Sequence, residues 1–486
     1  MLTKTDYNRY LQCPKYLWLN KNRKELAPPV TETQQALFDQ GYKVEAYAHN
    51  LFPGGVEVKG WYKKGRAETQ AYIREGHKTI YQANAMTNNL YAKADILHFN
   101  NQTKKWDLYE VKSSTSVKEE HIPDLAFQKI ALERDGIPIG KTYLVHINKE
   151  YVRQGEIDPK ELLKTEDLTE AVNNERSSVE ANIPKTLEII KFKEEVKKRI
   201  GKQCDNPYEC PFKAYCWKDL PEYNIFNLQR ISEKQITQLQ ALGIEKIADI
   251  PDDFEMNQKQ ENQVVAVKTG KDFIDTQSIE NAINTISYPL YFLDYETYAS
   301  AIPLFDGLKP YQQMPFQYSL HVIRSKGEEP EHFEYLHTSK DNPLPGLLAS
   351  MKNHIRNTGS VIVWYKAFEM GRNEEMAKLC PEYAEFLESV NKRVFDLMEI
   401  FSNQYYISPK FKGSASIKKV LPVVVPELSY NDLEDVQEGK IASLYWFKHV
   451  YNESADKERI ARNLLEYCKL DTLAMVEIWR KVLRLY

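Results

Sequence analysis

The sequence predicts an α/β protein of more than one domain, and three observations carry that reading. At 486 residues the chain exceeds the size at which one hydrophobic core stops growing. Short β-prone runs alternate with helical patterns in two separate regions, 1–218 and 288–486. Between them, over 219–287, the chain turns polar and rich in Gln, Asn and Asp, which marks a helical linker. Hydrophobic residues make up 42% and charged residues 28%, an ordinary globular balance. No apolar run approaches the ~20 residues of a spanning helix. The N-terminal MLTKTDYNRYLQCPKYLWLN lacks the apolar stretch of a signal peptide. A membrane partner is not expected, and a cytoplasmic location is. Disulfides are rare there, so clustered cysteines point to a metal. The net charge of −4 argues against a polycation, so nucleic-acid contacts must come from local patches.

The first informative element is YAKADILHFNNQTKKWDLYEVKSS. ADILHF and WDLYEVK read as a hairpin around Asn100, Asn101 and Gln102. Side chains alternate along a strand, so Glu110 and Lys112 share a face. Asp95, at the start of the partner strand, can join them. Carboxylate oxygens suit Mg²⁺ or Mn²⁺, and Lys112 can orient a metal-bound water or stabilise developing charge. The competing reading is an exposed strand with a salt bridge. Ala94-Asp95, fourteen residues, then Glu110-Val111-Lys112 resembles the PD-(D/E)XK nuclease signature, with Ala94 where the pattern has Pro. RecB-like members of that superfamily carry a helical Gln-x-x-x-Tyr after the hairpin. HIPDLAFQKIAL matches with Gln128 and departs with Leu132. The resemblance implies an N-terminal restriction-endonuclease-like domain in which Asp95 and Glu110 hold metal, Lys112 is catalytic and Gln128 positions the site. It also implies a further ligand from the helix FDQGYKVEAYA. That ligand is commonly His, and Glu45 stands there here.

The domain ends in CDNPYECPFKAYC, which holds Cys204, Cys210 and Cys216. One subgroup of RecB-like nucleases places one cysteine before the core and three after it, and these bind an iron–sulfur cluster. Cys13 in LQCPKYLWL completes the resemblance. It implies a [4Fe–4S] cluster on Cys13, Cys204, Cys210 and Cys216, with four-thiolate zinc as the alternative. The spacing from Cys204 to Cys210 is wider than the family's usual one, so the loop must bulge. Cys380 and Cys468 receive no ligand role. In the linker, ISEKQITQLQALGIEKIADIP reads as two short helices around a Gly-Ile turn. Such a helix-hairpin-helix-like element can set amides against phosphate. The plainer reading is a connector.

The C-terminal region opens with YFLDYET, a strand with Asp294 and Glu296 on one face. Two acids on one face of an apolar strand are costly unless they bind a cation. YQQMPFQYSLHVI continues the sheet, and VIVWYKAFEM is a second β-prone run ending in Glu369. LLEYCKLDTLAMVEIW is an amphipathic helix with Tyr467 and Asp471 one turn apart. The ordered set resembles the tyrosine subclass of DEDD 3′–5′ exonucleases, which have an RNase-H-like fold. Asp294 and Glu296 match the first motif, Phe368-Glu369 the second with Glu for Asp, and Tyr467 with Asp471 the third. The resemblance implies two metal ions on Asp294, Glu296, Glu369 and Asp471, with Tyr467 orienting water and Asp396 behind the ligands. In FKGSASIKKVLP, a loop offers Lys412, Lys418 and Lys419 to phosphate. A solvated charged loop is the competing reading. The expected function is a two-site nuclease acting on DNA, single-stranded or at ends. The alternatives are a DNA-end-binding scaffold with one inactive site and an RNA-directed exonuclease.

Overall fold

The computed structural model describes residues 1–430, 433, 436–453 and 455–485. Met1–Asp219 and Ser300–Tyr311 form one compact unit, and Leu220–Ala299 and Gln312–Tyr486 form another. The architecture is α/β, as the alternating pattern predicts.

The first unit is built on a seven-stranded sheet. Its strands are β1 (Leu2–Thr3), β2 (Val56–Glu57), β3 (Thr79–Met86), β4 (Leu90–Asn100), β5 (Lys105–Lys112), β6 (Ile139–Ile147) and β7 (Leu163–Asp167). The order is β2-β3-β4-β5-β6-β7, with β1 added to β4. The hairpin β4–β5 closes because the Asn100 side-chain oxygen accepts the amides of Gln102 and Thr103. β4 begins at Leu90, so Asp95 lies mid-strand rather than at a strand start. β5 and β6 are parallel, which requires a crossover, and the helix His121–Arg134 supplies it. That helix is buried from Leu125 to Leu132, with Phe127, Ile130 and Leu132 in the core beside Leu97 and Leu108. Each such apolar side chain contributes about 2 kcal/mol by leaving water. Leu132, at the position where the resembling motif has Tyr, is one of these packing residues. β1 runs parallel to β4 with Leu2 opposite Leu90, beyond the reach of β5.

The second unit holds β8 (Phe273–Ile274), β9 (Leu290–Tyr298), β10 (Met314–Ile323), β11 (Glu331–Leu336), β12 (Ser360–Val363), β13 (Val394–Asp396) and β14 (Tyr406–Ile407). Five of these form a sheet in the order β11-β10-β9-β12-β13, and β8 pairs with β14. β9, β10 and β11 are an antiparallel meander, while β12 runs parallel to β9 and β13 parallel to β12. β10 is buried along its whole length, and the long helix Lys457–Val482 packs over β9 and β10.

The segment expected as a linker lies in this second unit and has a small core of its own, including Ile225, Leu239, Ile247 and Val264. The first of its two expected helices forms as Glu233–Ala241, with Ser232 and Gln235 capping each other's backbone. Gly243, at φ +71°, turns the chain out of it. The second reduces to one 3₁₀ turn, Ile247–Asp249. Pro251 disfavours a helical Ile250 and stops it there.

Candidate functional site

In the first unit, alternation along β5 puts Glu110 and Lys112 on one face, as expected. Lys112 Nζ donates to Glu110 Oε1 at 2.6 Å. Gln128 Nε2 donates to Glu110 Oε2 at 2.7 Å from the crossover helix. Asp95 Oδ2 accepts the Val111 amide at 2.8 Å, which pins the carboxylate beside β5. Two further residues join the site that the motif spacing does not single out. Lys4 Nζ donates to Glu110 Oε1 at 2.7 Å and to Oε2 at 3.0 Å. The pairing of β1 with β4 delivers it, and nothing local in the sequence signals that. Asp124 accepts from Lys112 at 2.8 Å. Its signal is present in the sequence, since it lies one helical turn before Gln128.

Glu110 is only 1% exposed. Burial opposes its charge, but the Lys112 and Lys4 ammoniums outweigh burial and hold the carboxyl below the usual carboxylate range. Burial likewise opposes the Lys112 charge, and Asp124 and Glu110 more than offset it. Asp95 moves the other way. Burial, then the Glu110 charge, pushes it up to about 7, and Glu45 adds to the push. Glu45 thus faces Asp95 from the helix Glu32–His49, where it also accepts from the Gln82 amide. A divalent cation fits the Asp95 and Glu45 side, where like charges meet. The Glu110 side already carries two ammoniums.

Cys13 stands at the N-cap of the helix Pro14–Asn22, where burial pushes its thiol up and the Tyr16 and Lys15 amides partly offset that. Cys204 ends a 3₁₀ turn, and the Cys210 amide donates to the Cys204 carbonyl at 2.8 Å. That bond draws in the wide loop between them. Cys216 follows on the helix Lys213–Trp217. The four are free thiols, and Cys210 and Cys216 pack with Trp18, Leu19 and Phe212. Burial pushes the Cys210 thiol up to about 12, with Cys13, Cys204 and Cys216 adding to the rise. The donor set fits a four-thiolate centre, iron–sulfur or zinc alike. Among the described residues no three of these sulfurs lie within 4.8 Å of one another, whereas Asp294, Glu296 and Cys468 bring three ligand atoms that close.

That group lies in the second unit. Asp294 and Glu296 share a face of β9, and one ligand atom of each lies within 4.8 Å of the other and of Cys468 Sγ. Cys468, for which no ligand role is expected, stands in this group. Its sulfur lies 3.7 Å from Asp294 Oδ2. The sequence holds the clue, because residue 468 is next to Tyr467 and three before Asp471 on one helix. Tyr467 and Asp471 come to the same place on Lys457–Val482. Asp471 accepts from Tyr430 Oη at 2.5 Å, and Tyr467, one turn earlier on the helix, favours its ionised form. Tyr430 falls in no periodic run of the sequence, so no pattern marks it.

Glu369 requires a correction. The run VIVWYKAFEM is not one strand. β12 stops at Val363, Tyr365 takes φ +91°, and Glu369 lies in the first turn of the helix Lys366–Leu379. Asp396 causes the break, because its carboxylate accepts the Tyr365 and Lys366 amides at 3.0 and 2.9 Å and so caps the new helix. Tyr295 of β9 donates to Asn373 at 2.8 Å and seats that helix on the sheet. Glu369 is 2% exposed, and its Oε2 has no hydrogen-bond partner among the described residues. Burial, then the Asp294 charge, pushes it up to about 9. Cys380 only closes the far end of the helix.

Burial and then Asp471 push Asp294 well up. Burial and then Asp294 do the same to Glu296. Burial also raises Asp471, to about 6. Of the three lysines expected in a loop, Lys418 and Lys419 instead stand on the helix Ile417–Val424. Lys418 Nζ lies 5.5 Å from the centres of the Tyr430 and Tyr467 rings, and its charge favours ionised Glu296 and Asp471. Lys412 pairs with Glu222, and Lys419 is exposed. Arg372 eases Glu369 in the same way, but two cations beside four acids, three buried and Asp294 half-buried, leave a negative site. An unpartnered buried carboxylate oxygen and a soft sulfur complete a donor set that fits divalent metal ions.

A family described as a domain of unknown function (DUF2779) matches residues 291–416. The match includes Asp294, Glu296, Glu369 and Asp396, and ends before Lys418, Tyr430, Tyr467 and Asp471. The chain is 27% identical over 229 residues to the uncharacterized protein MG366 of Mycoplasma genitalium, across 43% of this chain and 34% of that protein. It is 28% identical over 208 residues to the MG366 homolog of Mycoplasma pneumoniae, across 38% and 31%. It is 31% identical over 137 residues to the uncharacterized protein UU173 of Ureaplasma parvum, across 24% and 20%. The chain thus spans about a third of the length of the first two relatives and a fifth of the third. No helix among the described residues is long and apolar enough to cross a membrane.

Proposed function

We propose that this chain is a metal-dependent nuclease with two active sites, acting on DNA. The observation that carries the proposal is the meeting of Asp294, Glu296, Glu369 and Asp471, with Tyr467, from three separate elements of the second unit. Four acids raised by burial, three of them also by a neighbouring acid, are what a site for divalent cations requires. The sheet order β11-β10-β9-β12-β13, with three antiparallel and two parallel strands, supports an RNase-H-like fold and a DEDD-type exonuclease. Asp294, Glu296, Glu369 and Asp471 would hold the metal ions. When bound, such ions supply an activated water and neutralise phosphate charge. Tyr467 orients the attacking water, and Lys418 adds positive charge for the phosphate.

In the first unit, Asp95 and Glu45 are the metal side of a PD-(D/E)XK-type site. Glu110, Lys112 and Gln128 form its positioned polar side, and Lys4 holds Glu110 ionised. The four thiols take a [4Fe–4S] cluster or zinc and clasp the start of the unit to its end. Metal analysis and the visible spectrum of anaerobically prepared protein decide between those two.

The direct test incubates the purified chain with end-labelled single- and double-stranded DNA and RNA, with Mg²⁺, Mn²⁺ or EDTA. Stepwise shortening from the 3′ end is expected with metal. Asp294→Ala should abolish it, while Lys112→Ala leaves it. Internal or end cleavage lost only in Lys112→Ala belongs to the first unit. If no polymer is cut under any metal, the nuclease reading fails.

A further inference from the structure

Near Asp95 in the first unit stands a feature that neither active site uses. The segment GWYKKG, residues 60–65, exposes two adjacent aromatic rings and two lysines. Trp61 is 58% exposed and Tyr62 47%. Large aromatics are normally covered, so a side-by-side pair in solvent calls for a partner. The backbone beneath them is held tightly. A Cβ on Gly60 would meet the Gly65 amide nitrogen at 2.8 Å, so the two chain passes touch. Glu68 accepts the Lys59 and Gly60 amides at 3.1 and 2.9 Å. Tyr62 takes φ +52°, a costly conformation for a bulky residue. Its ring packs on Tyr91 at 4.6 Å between centroids. Tyr91 in turn donates to Asn84 at 2.5 Å. The rings are thus displayed on a rigid support.

Charge links this shelf to the site. Lys93 Nζ lies 4.1 Å from the centre of the Trp61 ring. Lys93 is two residues before Asp95 on β4, so the two share a face. Asp95, Glu45 and Lys4 all act electrostatically on Lys93. Lys63 and Lys64, the next two residues of the chain, are exposed. An exposed ring takes a base face, a lysine takes the neighbouring phosphate, and the sequence-tolerant stacking suits any unpaired base.

We propose that Trp61 and Tyr62, with Lys93 at their inner edge and Lys63 and Lys64 next in the chain, form a stacking shelf that binds single-stranded nucleic acid and leads it to Asp95. A paired duplex has no free base face to offer, so the shelf selects single strands. The proposal deepens the nuclease reading of the first unit, but binding can be measured without cleavage.

The experiment is fluorescence anisotropy of the full chain with labelled d(T)20, r(U)20 and a blunt 20-base-pair duplex, in EDTA, across a salt series. Trp61→Ala should weaken single-strand binding about 5- to 100-fold, with Trp61→Phe retaining most of it and duplex binding unchanged. Lys93→Gln should lower the salt slope for single strands by about 0.7. Because Trp61 is exposed, both of its variants should melt like the parent. Unchanged single-strand affinity in Trp61→Ala would overturn the shelf, as would equal weakening for duplex and single strands, or no single-strand binding by the parent. Failure of the nuclease reading looks different: Trp61-dependent binding persists, but no metal supports cleavage.

Discussion

The two carboxylate sites of this chain solve opposite electrostatic problems. Glu110 is fully buried, yet it stays ionised because Lys4, Lys112 and Gln128 all donate to it. Asp294, Glu296, Glu369 and Asp471 crowd together with little water, and cations ease only some of them, Lys418 the Glu296 and Asp471 charges and Arg372 that of Glu369. The first arrangement satisfies its own charge and is a piece of folded architecture as well as a site. The second is held at a cost that a divalent cation relieves. Burial alone therefore says little about a carboxylate's role. What matters is whether the fold supplies the counter-charge or leaves it to a ligand.

Four experiments sharpen that contrast, beginning with the largest effect. Glu110→Gln removes the anion between two ammoniums, so the first unit should lose about 3 to 5 kcal/mol in denaturant unfolding. A loss below about 1 kcal/mol would show that Glu110 is not its electrostatic keystone. The next effect is on pH dependence, and its sign differs between the sites. Asp471 and Glu369 titrate higher when folded than the ordinary value of about 4. In EDTA their contribution to stability is therefore full below pH about 4. It is lost as pH rises through about 6 for Asp471 and about 9 for Glu369. The loss should total a few kcal/mol. Added Mn²⁺ should restore stability most at the alkaline end. Glu110 is lowered instead, so its contribution is present above its unfolded value and is lost only as acid protonates it. Flat stability in EDTA between about pH 5 and 9 would refute the contrast.

Third, Lys418→Ala should slow cleavage by the second unit about tenfold, the effect of one well-placed charge on a phosphate. It should also move the pH–rate profile to higher pH, because Glu296 and Asp471 lose the charge that lowers them. Lys418→Arg should restore most of both. Last, Asp396→Ala removes the cap on the helix that carries Glu369, at about 1 kcal/mol. Melting should report that small loss. A larger drop in cleavage than in stability would identify Asp396 as a positioning residue for Glu369.

Much of both sites is legible in the amino-acid sequence. The alternation of a strand puts Glu110 beside Lys112 and Asp294 beside Glu296, and one helical turn joins Tyr467 to Asp471. The partners that the motifs do not name fall into two kinds. Asp124 and Cys468 stand within a turn of motif residues, so helical spacing alone marks them. Lys4 and Tyr430 reach their partners across long stretches of chain, and no local pattern encodes them. Glu369 faces the acids of β9 from a helix rather than from the strand its β-prone run predicts. The Asp396 cap cuts that run short, and tertiary contact outweighs local propensity.

What the sequence determined by itself was therefore which acids share a face, since backbone geometry repeats every two residues in a strand and every turn in a helix. Only the tertiary structure decided what charge those acids carry. Ionisation depends on how much water is excluded and which ammoniums stand within a few ångströms, and both are set by chain segments far apart in sequence.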